Sequence, residues 1–89
     1  MRIYMQTPPV EGAPLRFYQL QIQEDLIDGW TLIRESGTQG GRSSYREVHY
    51  ECREDAEHAL LALRDQQLRK GFQTTFATGA TNNSSATDL

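Results

Sequence analysis

The sequence predicts an α+β domain: an antiparallel β-sheet of about four strands with one amphipathic helix packed on one face. Three observations predict it. Runs within residues 15–51 alternate apolar and polar residues at period 2, as half-buried strands do. Residues 54–71 switch to the 3.6 period of a helix. Residues 77–89, ATGATNNSSATDL, hold no aromatic residue and a single charged side chain, too little to repay the entropy of ordering.

Arg2 to Met5 reads as a short strand with Ile3 and Met5 on one face. Residues 6–14, QTPPVEGAP, contain all three prolines and read as a loop. In LRFYQLQIQ, Tyr18, Leu20 and Ile22 alternate with Gln19, Gln21 and Gln23, a strand with one wet face. Phe17 is out of phase with the apolar set and belongs to the second sheet face or to a contact surface. EDLIDG follows as a turn. In WTLIRE, Trp30 and Leu32 alternate with Thr31 and Ile33, so both faces carry large apolar residues and the strand is expected inside the sheet. SGTQGGRSS is the next connection, with Gly37, Gly40 and Gly41 available for positive φ and a sharp reversal. A third period-2 run, YREVHYE, puts Val48 and Tyr50 on one face and Tyr45 and His49 on the other.

The helix EDAEHALLALRDQQLRKG aligns Ala56, Ala59, Leu60 and Leu63 on one face, closed by Gln67, with Leu61 and Leu68 as a neighbouring ridge. Acidic residues crowd its first turn and basic residues its last, as the macrodipole favours. Gly71 stands where a left-handed C′ residue is wanted, and Phe72 follows as its hydrophobic lid. Cys52 occupies the position three residues before Asp55 where a capping box places Ser or Thr; a thiol caps poorly, and a helix N-terminus lowers a thiol's pKa. The expected organisation is an N-terminal strand and Pro-rich loop over 1–14, the domain over 15–76, and a disordered polar tail over 77–89.

Composition bounds the function. At 89 residues one small domain fits, and a chain of this size buries only about 60% of the surface its unfolded form exposes. The net charge of −3 argues against a polybasic nucleic-acid binder. One cysteine makes no internal disulfide, no apolar h-region opens the chain, and no apolar run approaches bilayer length; a cytoplasmic protein with no membrane association is expected. The charge is unevenly spread. Glu24, Asp25 and Asp28 form an acidic turn, and residues 51–57 hold four acids and one base. Residues 34–46 hold three Arg and one acid, and residues 64–70 three bases and one acid.

The stretches RFYQLQIQED, DGWTLIRESGTQGG, YREV, REDAEHALLAL and RKGF, taken in that order over roughly residues 16–72, resemble a WGR domain of the stand-alone bacterial type. By spacing from Trp30, the family's Trp-Gly-Arg signature falls on Ser36, Gly37 and Thr38, so Gly37 alone matches and Ser36 and Thr38 replace the Trp and Arg. The resemblance implies a non-enzymatic binding module and, from relatives that engage DNA breaks, nucleic acid as a partner. By position it carries over Gly37, for the turn, and Arg34.

The residues point to a phosphate-facing patch made by Arg34, Arg42 and Arg46 around the connection SGTQGGRSS, with Ser43, Ser44 and the glycine amides as further donors. With Gly37 these form the expected nucleic-acid-binding set, extended by Arg64, Arg69 and Lys70. Three phosphate contacts on duplex DNA give a salt slope of about −2.7, so weak binding is expected. His49, Cys52 and His58 fit no zinc spacing, no orienting group completes a Cys-His nucleophile, and the glycines do not form a phosphate loop. Catalysis, cofactor, metal and small-molecule substrate are not expected. The competing reading is a protein-interaction module, such as a homodimer, using aromatics on a sheet face.

Overall fold

The computed structural model describes residues 1–79. The chain runs β1 (Arg2–Gln6), β2 (Arg16–Glu24), β3 (Trp30–Thr38), β4 (Ser43–Tyr50), α1 (Arg53–Arg69) and β5 (Gln73–Thr78). The strands form one antiparallel sheet in the order β4-β3-β2-β1-β5, with α1 against one face. The α+β architecture is therefore the one expected, with five strands in place of about four. The additional strand is β5, which pairs with β1 and reaches Thr78, beyond the expected start of the tail. The remainder of that expected tail, 80–89, lies outside the described residues.

The period-2 runs place the core. Tyr18, Leu20 and Ile22 of β2, Ile3 and Met5 of β1 and Leu32 of β3 are buried on the helix side, where Ala56, Leu60 and Phe72 meet them. β1 lies between β2 and β5 and contributes two of these side chains, so the N-terminal strand is part of the main sheet. β3 lies inside the sheet as expected, with Leu32 and Ile33, 2% and 9% exposed, on opposite faces. Phe17 belongs to the second face, where its ring stacks on Tyr4 at 6.2 Å. Leu68, expected to pack as part of a ridge, is instead exposed.

β3 and β4 run two to three residues further than the alternation suggested, so the connection shrinks to residues 39–42. The hairpin is closed by Thr38 N–H donating to the Arg42 carbonyl (3.1 Å) and Gly41 N–H to the Thr38 carbonyl (2.9 Å). Of the three glycines there, only Gly40 takes positive φ, at 77°. Gly37 is required for another reason. It sits in the β3–β4 ladder opposite Ser43, and a Cβ there would run into the Arg42 carbonyl and lie 2.7 Å from Ser43 Cα.

Helix α1 begins at the expected N-cap, Cys52, and ends before Gly71, which has the left-handed φ of 101° that the C′ position calls for. Cys52 makes no side-chain cap hydrogen bond. At the same end of the molecule, Asp25 organises the β2–β3 loop. Thr31 Oγ1 donates to Asp25 Oδ1 at 2.7 Å, and His49 Nδ1 donates to Asp25 Oδ2 at 3.0 Å.

Candidate nucleic-acid interface

The antiparallel register fixes the site. Pairing of β3 with β4 sets Arg34 opposite Arg46 and Ser36 opposite Ser44, and pairing of β2 with β3 sets Tyr18 beside Ser36. These side chains lie on the face that carries α1, because they continue the row of Leu20, Ile22 and Leu32. The helix covers β2 and its neighbours but leaves edge strand β4 almost wholly exposed. A groove results between the C-terminal half of α1 and strands β3 and β4.

The groove contains two adjoining clefts of about 520 and 390 Å³. Arg16, Arg42 and Gly37 line the first, and Arg34 and Arg46 the second; Ser36, Ser44, Tyr18, Gln67 and Lys70 border both. Among the described residues that line them, five are basic and none is acidic. The described residues provide no ion pair for Arg34, Arg42, Arg46 or Lys70. Like charges set directly opposite on neighbouring strands repel. The Arg34–Arg46 pair is therefore a local cost to the fold that an anion seated between the two side chains removes.

Arg34, Gly37, Arg42 and Arg46, all read from the sequence as candidates, thus border one continuous groove. Lys70 joins them from the end of α1. Arg64 does not: its Nε and Nη2 donate to Asp65 Oδ1 at 3.0 and 2.8 Å. Arg69 lines neither cleft. Arg16, Ser36, Tyr18 and Gln67 are additions. Tyr18 and Gln67 looked like core positions, and both are indeed more than nine-tenths buried, yet both border the clefts.

The groove also accounts for the distribution of charge. Arg16, Arg42 and Lys70 gather where β2 starts, β3 ends and α1 ends. Glu24, Asp25, Asp28, Glu51, Glu54 and Asp55 gather at the opposite end, where β2 ends and α1 starts. The molecule has an acidic end and a basic end, and the net charge of −3 hides both.

The remaining sequence candidates resolve separately. Trp30 is partly buried against the core with the Arg53 guanidinium 5.4 Å above its ring. Tyr45 is exposed on the second sheet face, and its hydroxyl donates to Glu47 Oε2 at 2.7 Å. That bond, with smaller contributions from burial and the charges of Glu47 and Glu35, raises the Tyr45 pKa. His49 is directed to Asp25 rather than toward Cys52 or His58. Cys52 is exposed and departs from the lowered pKa expected at a helix N-terminus. The Asp55 amide, its largest single influence, does favour the thiolate, but the nearby Asp55 carboxylate, slight desolvation and the charge of Glu54 together outweigh it. The net shift is upward.

Comparison of the chain with protein-family models, with curated proteins and with solved structures finds no match.

Proposed function

We propose that the protein is a small non-enzymatic module that binds nucleic acid by its phosphates, in the groove between α1 and strands β3 and β4. The observation that carries this reading is the unneutralised Arg34–Arg46 pair, set face to face by the β-ladder in a groove with no acidic lining among the described residues. Ser36 and Ser44, whose hydroxyl oxygens are 3.5 Å apart, supply neutral donors for the same anion. The resemblance of residues 16–72 to WGR domains supports the same partner class. Phosphate contacts by Arg34, Arg42, Arg46 and Lys70 give a salt slope of about −2.8 on a single strand or about −3.6 on duplex DNA, so binding is modest and fades in concentrated salt.

Fluorescence anisotropy against single-stranded, blunt and nicked DNA at two salt concentrations tests the proposal. Binding that weakens with salt and is lost in the double variant Arg34→Glu, Arg46→Glu is the expected result. No binding to any of the three at low salt removes the reading.

A second reading has its own observation. Leu26 and Ile27, at the tip of the β2–β3 loop, are 104% and 97% exposed, while the loop beneath them is held by Asp25. Adjacent apolar side chains presented in this way suit a protein contact. Size-exclusion chromatography with light scattering, on wild type and on Leu26→Ser, Ile27→Ser, separates a self-associating module from a monomer.

A further inference from the structure

We propose that Gln67 reads the edge of an unpaired base, so that the groove takes single-stranded rather than duplex nucleic acid. This inference rests on the phosphate-binding reading above.

Gln67 stands on the buried face of α1, in line with Ala56 and Leu60, and is 6% exposed. An apolar residue is the ordinary occupant of that position. The backbone carbonyl of Gln67 accepts from the N–H groups of Lys70 and Phe72, both at 3.0 Å. Its side-chain amide has no hydrogen-bond partner among the described residues. No buried side-chain nitrogen or oxygen there is sealed off without a partner, so the amide's polar atoms open onto the clefts that Gln67 borders. Tyr18 lies in the same recess, 7% exposed, with its hydroxyl also unpartnered. Two deeply set side chains whose polar atoms face one open recess without protein partners among the described residues, beside Arg34, Arg46 and Lys70, are placed to be met by a polar ligand.

The chemistry of the amide selects the ligand. It carries a donor and an acceptor side by side, the pattern complementary to the open Watson–Crick edge of an unpaired base, where a donor and an acceptor also stand side by side. A phosphate offers acceptors only and leaves the amide oxygen unmatched. The depth of Gln67 selects the strand state. Base edges in a duplex are read by protruding elements that enter a groove, and Gln67 is recessed behind the rim formed by α1 and β4. A base reaches it only after leaving its stack, as the bases of single strands do. Clefts of about 520 and 390 Å³ are of a size that admits a small ligand.

The test is an anisotropy titration of labelled dA12, dC12, dT12 and a 12-base-pair duplex with wild type, Gln67→Leu and Arg46→Glu. We expect wild type to bind the three single strands at least about fivefold more tightly than duplex. Gln67→Leu should remove most of that lead with the salt slope on single strands unchanged, while Arg46→Glu weakens all the probes together. Thermal melts at or above the wild-type midpoint show that Gln67→Leu is folded, and Gln67→Met serves if it is not. Duplex bound as tightly as the single strands, or a single-strand lead that survives Gln67→Leu in full, overturns the inference and leaves the phosphate reading standing. No binding to any probe at low salt overturns both.

Discussion

Arg34 and Arg46 face each other across the β3–β4 ladder on the helix side of the sheet, and no acidic side chain among the described residues pairs with either. Their cost to the fold and their proposed use to a ligand have the same origin. Arg46→Glu converts the repulsion into a cross-strand ion pair, a change of about 0.2–1 kcal/mol in favour of folding. For a domain of this size that raises the melting temperature by several degrees. The same substitution places a carboxylate in the groove, and under the proposed function it should weaken DNA binding at low salt by at least about tenfold. Thermal melts and anisotropy on one preparation check both halves. A variant that loses stability shows that the pair is not the source of strain.

Arg42 and Arg64 separate the groove from basic charge in general. Arg42 lines the first cleft beside Gly37, whereas both donating nitrogens of Arg64 are engaged by Asp65. Arg42→Ala should lower the magnitude of the salt slope by about 0.7, the loss of one phosphate contact on a single strand. Arg64→Ala should leave the slope and the affinity at wild-type values. Equal effects of the two substitutions count against a localised groove.

The core of this fold was legible because it is built on periods. Tyr18, Leu20 and Ile22, like Ala56 and Leu60, announce their faces by spacing alone. β5 was not legible. QTTFAT carries one large apolar residue, Phe76, and is an exposed edge strand that alternation does not reveal. Arg34 and Arg46 stood out as local charge, but their opposition depends on a register that the shortened 39–42 turn sets. Gln67 and Tyr18 were hidden by their own regularity, since each falls in phase with a buried stripe. Only the incomplete cover of β4 by α1 turns those core positions into the floor of a groove. The upward pKa of Cys52 was missed because the helix N-terminus is a single influence, while Asp55 and Glu54 act in the opposite sense.

Gly37 tests whether the hairpin is shaped by close approach rather than by φ. Its backbone is in ordinary strand conformation, so alanine meets no φ penalty. It does meet the Arg42 carbonyl and Ser43 Cα, neither of which is a flexible side-chain end. Gly37→Ala should therefore destabilise the protein by about 1–3 kcal/mol, the range for overpacking. Gly41→Ala is the control, because the nearest atom to a Cβ there is 3.5 Å away. Chemical denaturation of the two variants measures the difference, and equal midpoints would contradict the close-approach account.

Cys52 joins capping, reactivity and pH in one residue. It is the N-cap of α1 with extended backbone, φ −128° and ψ 154°, yet makes no cap hydrogen bond. Serine supplies the missing acceptor in the same backbone conformation. Cys52→Ser should raise the melting temperature at pH 7 by a few degrees, from the ordinary strength of such caps. The thiol adds a pH term whose sign follows from its raised pKa. The folded state holds the thiol proton more tightly than the unfolded chain does, so that contribution is complete below the ordinary thiol value. It is lost as pH rises through the higher folded value. The serine hydroxyl does not titrate in this window, so the lead of C52S over wild type should widen between pH 7 and pH 9.5. For the same reason, iodoacetamide should alkylate native Cys52 more slowly than the urea-unfolded chain at pH 8.5, even though the thiol is exposed. Faster alkylation in the native state, or a lead that narrows with pH, shows that the Asp55 amide rather than the two carboxylates governs the thiol.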